Sequence, residues 1–222
     1  MKEHQGSGKG SMAKTLNERF QSDSHSLNGV DGMKVIAFNG SPRKNGNTHQ
    51  ALEIALAEIR KEDIETELVQ MGSEAIHACK ACGTCGKNQD QRCIIKEDRV
   101  NDWIQMIKEA DGIIIGSPTY FGDMSAQTKA FIDRVGYVCR SNGGLLRRKV
   151  GAAVAVNRRA GSLTTFDNIN HFFLIAEMIV PGASYWNVVT ALKPGETPQD
   201  TEGVATMQSL GRNMAWLIKR VQ

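Results

Sequence analysis

Short, uniformly apolar runs alternate with longer amphipathic stretches from Met33 onward, and few folds can use that order. Met33 to Phe38, the triple isoleucine Ile113-Ile114-Ile115 and Lys149 to Val156 lack a polar face, which is the pattern of strands covered on both sides. Asn47, with Gln50 three residues on, is placed to cap a helix whose Leu52, Ala55, Leu56 and Ile59 share one face. Glu65 to Val69 then reads as a shorter second strand. Asp98 is expected to cap a helix with Val100, Trp103, Ile104 and Ile107 inward. Gly116-Ser117-Pro118 is expected to break the isoleucine strand before a helix over Ser125 to Val135. A further helix is expected over Ser162 to Met178, with Ile179-Val180 beginning the last strand. Val204, Met207, Leu210, Met214, Leu217 and Val221 recur at helical spacing and form a closing amphipathic helix. The whole predicts an α/β domain: a doubly wound, five-stranded parallel sheet with helices on both faces.

Sheets of this kind bind ligands in the loops beyond the carboxyl ends of their strands. Three loops qualify: residues 40–48, 116–124 and 157–163, each rich in Gly, Ser, Thr, Asn or Arg. In the first, Ser41, Asn47 and Thr48 offer side-chain donors, Arg43 a cationic fork, and Asn45 stands among them. The backbone N–H groups opening the next helix favour an anion, and Gly46 lets the backbone come close. No Gly-Lys-Ser/Thr closes the loop and the three-glycine dinucleotide fingerprint is missing, so a terminal phosphate monoester held without magnesium suits it. An ordinary turn leading into a capped helix is the plain alternative.

Cys79, Cys82, Cys85 and Cys93 fall within one segment, as Cys-x-x-Cys-x-x-Cys followed by seven residues and a fourth Cys. Close spacing lets three thiolates face one centre while the fourth closes it, which favours an iron-sulfur cluster. Tetrahedral zinc is the alternative, although zinc sites usually pair two Cys-x-x-Cys units across a longer gap. A redox-active disulfide is a third reading. Cys139 stands apart and is expected to act as a small buried hydrophobe. No Ser-His-Asp or paired-carboxylate set can be placed, so hydrolysis has no support.

The formal charge of +3 is spread among interspersed acids and bases, which argues against nucleic-acid binding. No apolar run approaches the ~18 residues of a membrane helix, and five cysteines fit no paired disulfide framework. Reduced thiols and a cytoplasmic location are expected. Residues 1–33 carry no apolar run and are expected to form a flexible arm without a secretory signal. The domain is expected over 34–222, with the cysteine loop at 76–97.

The phosphate loop resembles that of the flavodoxin-like NADPH-dependent FMN reductases, with Gly40, Ser41, Arg43, Asn47 and Thr48 in the matching places. Ser117-Pro118-Thr119-Tyr120-Phe121-Gly122 is similar to the family segment beside the flavin ring, which implies Pro118, Thr119, Tyr120, Phe121 and Gly122 as flavin contacts. Lys129-Ala130-Phe131-Ile132-Asp133-Arg134 resembles the family's Lys-x-x-x-Asp-Arg ending. Arg158, Arg159, Ala160 and Gly161 stand where the family closes over the flavin edge, with Ala160-Gly161 replacing the usual Gly-Gly pair. The likeness covers residues 34 to about 190. The cysteine run resembles the compact motif of the iron-sulfur flavoproteins, a branch of that family binding a 4Fe-4S cluster.

That resemblance implies an FMN-dependent oxidoreductase coupling flavin to the cluster, with electrons exchanged with NAD(P)H or a ferredoxin-type partner. It also implies a homodimer or homotetramer, with the cluster of one subunit near the flavin of another. Two other functions fit the same residues. One is a cluster-free NAD(P)H-dependent FMN or quinone reductase; the other is a flavodoxin-like electron carrier.

Overall fold

A computed structural model describes residues 32–221, so the arm expected at 1–33 lies almost wholly outside the described residues. Among the described residues five strands form one sheet: β1 (Lys34–Asn39), β2 (Glu65–Gln70), β3 (Gly112–Pro118), β4 (Val150–Asn157) and β5 (Val188–Thr190). Their spatial order is β2-β1-β3-β4-β5, and each pair is parallel. The helices are α1 (Asn47–Arg60), the short α2 (Thr84–Asn88), α3 (Val100–Glu109), α4 (Ala126–Ser141), α5 (Ser162–Ile175) and α6 (Thr201–Val221).

Strand alternation sorts the core into two layers. Ile36, Phe38, Ile113 and Ile115 face α3, α4 and α5, where Trp103 and Phe131 pack edge-on at 5.9 Å. Val35, Ala37, Ile114 and Val154 face α1 and α6 instead. Burial on both sides accounts for the unbroken apolar runs of β1, β3 and β4. In this strand order the connections reverse direction between β1 and β3, which opens a crevice at their carboxyl ends.

Four local expectations need correction. Helix α1 is capped by Gly46, not Asn47; Asn47 is the first helical residue and its side chain is turned to another segment. Helix α3 begins one residue after Arg99, although Asp98 Oδ1 still accepts from the Val100 N–H (3.2 Å). Gly116-Ser117-Pro118 does not break β3. The strand runs through Pro118, opposite Val156, because proline costs no ladder bond where its nitrogen is not needed.

Finally, Ile179-Val180 does not open the last strand. Ile179 makes a single bridge with Val150, Pro181 has no N–H to continue it, and the chain regains the edge of β4 only at Val188. The cysteine loop also holds one unexpected element, the short helix α2.

Candidate functional site

The first loop is built on Asn39, the last residue of β1. Its side-chain oxygen accepts from the Ser41 N–H (3.0 Å), and its amide donates to Gln70 Oε1 (2.7 Å). Gln70 in turn donates to the Ser41 carbonyl (2.7 Å), and the Arg43 N–H donates to Ser41 Oγ (3.2 Å). Ser41 and Thr48 are buried while Arg43, Lys44 and Asn45 are exposed, so a fixed base carries an open, donor-rich tip. Asn47 serves a different purpose from the donor role expected of it. Its amide donates to the Lys193 carbonyl (2.8 Å) and its oxygen accepts from the Gly195 and Glu196 N–H groups, tying the segment after β5 to the start of α1.

Ser125, the N-cap of α4, joins the first and second loops. Its hydroxyl donates to the Gly40 carbonyl (2.8 Å), its N–H donates to Ser117 Oγ (2.9 Å), and the Gly40 N–H donates to the Gly116 carbonyl (2.7 Å). The second loop then turns through Tyr120 and Asp123, which exchange backbone hydrogen bonds. Phe121 at its tip is fully exposed with φ of 51°, a conformation that bulky residues rarely adopt. Pro118 is buried in β3, whereas Tyr120 and Gly122 are exposed.

The third loop meets the second directly. Thr119 and Thr165 hydroxyls lie 3.1 Å apart, and a Cβ on Gly161 would touch Gly122 and Thr119 at about 3.5 Å. Arg158, Arg159 and Ala160 are exposed beside them. The three expected loops therefore form one continuous rim at the carboxyl ends of β1, β3 and β4.

The four cysteines line one cavity with Lys80, Ile94, Ile95, Arg134, Tyr137 and Val138. Polar side chains on α3 and at the C-terminal cap of α4 hold the loop's backbone in place. Asn101 accepts from the Cys93 N–H (2.7 Å) and donates to the Cys93 and Ile95 carbonyls; Asn142 donates to the Cys85 carbonyl (3.3 Å) and accepts from the Gln91 N–H (3.0 Å). Asp98 accepts from the His77 N–H (2.9 Å) and pairs with Arg134, deep under the loop. Sequence reasoning missed Asn101, Asn142 and the role of Arg134.

All five cysteines are free thiols. Among the described residues, no group of three or more His, Cys, Asp or Glu side chains is placed around a single metal-ion position. The donor chemistry nonetheless fits a thiolate-bound centre. The Ala81 N–H donates to Cys79 Sγ (3.4 Å), and hydrogen bonds from the Thr84 hydroxyl and N–H hold the Cys82 thiol below its ordinary pKa. Cys139, by contrast, is buried in the core, and desolvation pushes its thiol up to about 12. Under native, metal-free conditions a thiol reagent at neutral pH is expected to modify Cys82 first. Cys139 is expected to react only after denaturation, so mass mapping that found it among the early sites would contradict its burial.

A comparison with known protein families matches residues 33–193 to the NADPH-dependent FMN reductases. The chain belongs to that family. Among curated relatives of this FMN reductase family member, an iron-sulfur flavoprotein of Methanocaldococcus jannaschii is 40% identical over 197 residues, covering 86% of this chain and 100% of the relative. An iron-sulfur flavoprotein of Methanosarcina thermophila is 33% identical over 193 residues, covering 86% and 97%. This places the chain in the iron-sulfur flavoprotein branch, as an FMN-dependent oxidoreductase linked to an iron-sulfur cluster.

Solved structures extend the likeness to the fold. RosB with a bound flavin-phosphate intermediate superposes with a TM-score of 0.68 at 16% identity, covering 86% of this chain and 81% of that one. An NAD(P)H:quinone oxidoreductase from Methanothermobacter marburgensis gives 0.61 at 14% identity, covering 82% and 96%. A flavodoxin from Archaea gives 0.55 at 19% identity, covering 84% and 99%. The flavodoxin-like α/β fold expected for the FMN reductase family is thus present. No helix among the described residues is long and apolar enough to cross a membrane.

Proposed function

We propose that the rim of three loops seats FMN and that Cys79, Cys82, Cys85 and Cys93 hold a 4Fe-4S cluster in the same chain. The observation carrying this reading is the meeting of both donor sets on one scaffold. The rim follows β1, β3 and β4, and the four thiols share one cavity beside α4. When bound, FMN supplies two-electron chemistry and the cluster one-electron chemistry.

Each residue then has a defined task. Ser41, Arg43, Asn45, Thr48 and the backbone at Asn47 bind the phosphate, with the positive end of α1 behind them. Pro118, Thr119, Tyr120, Phe121 and Gly122 line one edge of the ring, and Arg158, Arg159, Ala160 and Gly161 close over another. Tyr120 and Phe121 exclude water by covering the ring with aromatic surface. No side chain is assigned an acid or base role.

Self-association as a homodimer or homotetramer belongs to this reading, supported by the large apolar side chains left exposed at Phe121, Leu174, Ile175, Tyr185 and Trp186. NAD(P)H or a ferredoxin-type protein is the proposed electron partner, in the cytoplasm.

The test is anaerobic purification with flavin, iron and sulfide analysis of the wild type and Cys82→Ala. The wild type is expected to contain FMN, iron and acid-labile sulfide, and the variant to lose most of its iron while keeping FMN. Bound zinc without sulfide would turn the assignment to a structural zinc site, and full iron in Cys82→Ala would remove Cys82 from the ligand set.

A further inference from the structure

One buried ion pair governs the neck of the cysteine segment. The side chains of Arg134 and Asp98 are 0% and 3% exposed, and Arg134 Nη1 donates to Asp98 Oδ2. Nη1 also reaches the His77 carbonyl (3.4 Å), and Nη2 donates to the Ile95 carbonyl (3.1 Å). His77 stands two residues before Cys79 and Ile95 two after Cys93, so a single guanidinium grips both ends of the ligand-bearing segment.

The third nitrogen of that guanidinium is unspent. Arg134 Nε is buried and has no acceptor among the described residues, and Arg134 lines the cavity together with all four cysteines. Buried cationic donors are rarely left without an acceptor, because the N–H has given up its water. The acceptors this cavity is built to hold are thiolate and cluster sulfur.

We propose that Arg134 donates its Nε–H to the sulfur of the iron-sulfur centre, raising the centre's reduction potential while its two Nη groups close the neck of the loop. The inference rests on the four-cysteine reading given above. Adding an electron makes the centre more negative, so a cation and an N–H···S bond favour the reduced form. Lys80 lines the same cavity but is exposed, so solvent and salt screen its charge.

Anaerobic redox titration of the full chain, loaded with iron and flavin, tests this with R134Q, R134K and K80Q. R134Q is expected to shift the one-electron equilibrium at least tenfold toward the oxidised centre, about 59 mV more negative. R134K keeps the charge and is expected to shift it by less than half as much, and K80Q to leave it in place. An R134Q potential equal to the wild type would overturn the proposal.

Should R134Q fail to retain iron, wild-type protein freed of metal and loaded with NMR-active cadmium alone decides the matter. The expected result is cadmium uptake with the Arg134 Nε–H resonance, identified by its loss in R134K, moved downfield and coupled to the metal. Uptake with that resonance unmoved would overturn the Arg134 assignment and leave the ligand set standing. No uptake would overturn the four-cysteine reading, and this proposal with it.

Discussion

Gly72→Ala is expected to weaken FMN binding by about ten- to a hundredfold, as measured by flavin fluorescence on titration into the flavin-free protein. A Cβ at this position would stand 2.4 Å from Gly40 C and O and from Ser41 C. All three are backbone atoms, so no side-chain rotation relieves the clash. The phosphate loop must move instead, at a cost of about 1–3 kcal/mol for such overpacking. FMN binding has to reverse that displacement, so the strain appears as lost affinity. Gly182→Ala, whose Cβ would meet nothing within 4 Å, is the control and is expected to bind FMN as the wild type does. Equal affinity in Gly72→Ala would mean that the phosphate is not held by this loop.

Asp98→Ala should be the most destabilising change at the cysteine loop. It leaves the Arg134 guanidinium buried without a counter-ion and removes the acceptor of the His77 and Val100 N–H groups. Breaking a buried pair from one side costs about 3–5 kcal/mol, a large share of a domain's whole stability. Urea unfolding of the metal-free protein measures it, and a loss under about 1 kcal/mol would show the pair to be dispensable.

The same carboxylate has a pH signature. Burial alone would raise the Asp98 pKa, but hydrogen bonds from the His77 N–H, Arg134 and the Val100 N–H, with the charge of Arg134, together hold it below the ordinary 3.8. Its contribution is therefore fully present above the ordinary carboxyl range and lost as pH falls through the lower folded value. The wild type is expected to lose stability on that acid side more steeply than Asp98→Ala.

Much of the scaffold was legible because β1, β3 and β4 are covered on both faces, and such strands appear as apolar runs that no helix period explains. The three candidate loops followed from strand polarity together with their content of Gly, Ser, Thr, Asn and Arg. The last strand was not legible, since β5 is three residues long and lies beyond an irregular stretch whose first residue, Ile179, already touches β4. At the sites, thiols and phosphate-loop donors are recognisable by type and spacing. Asn101, Asn142 and Arg134 are not, because side chains that hold the backbone of a distant loop leave no period in the sequence. Asn47 illustrates the same limit. Its place in the phosphate motif was visible, while its bonds to Lys193, Gly195 and Glu196 span nearly 150 positions.

Helix α4 touches both ends of the problem: Ser125 at its start stitches the rim proposed to seat FMN, and Arg134, nine residues on, anchors the ends of the cysteine segment. At the α-helical rise those two anchor points are about 14 Å apart along the axis. The helix thus works as a gauge that sets the spacing and bearing of the two anchorages within a subunit. One residue inserted between them would swing the arginine by about 100° and leave each anchorage chemically intact but misaligned with the other.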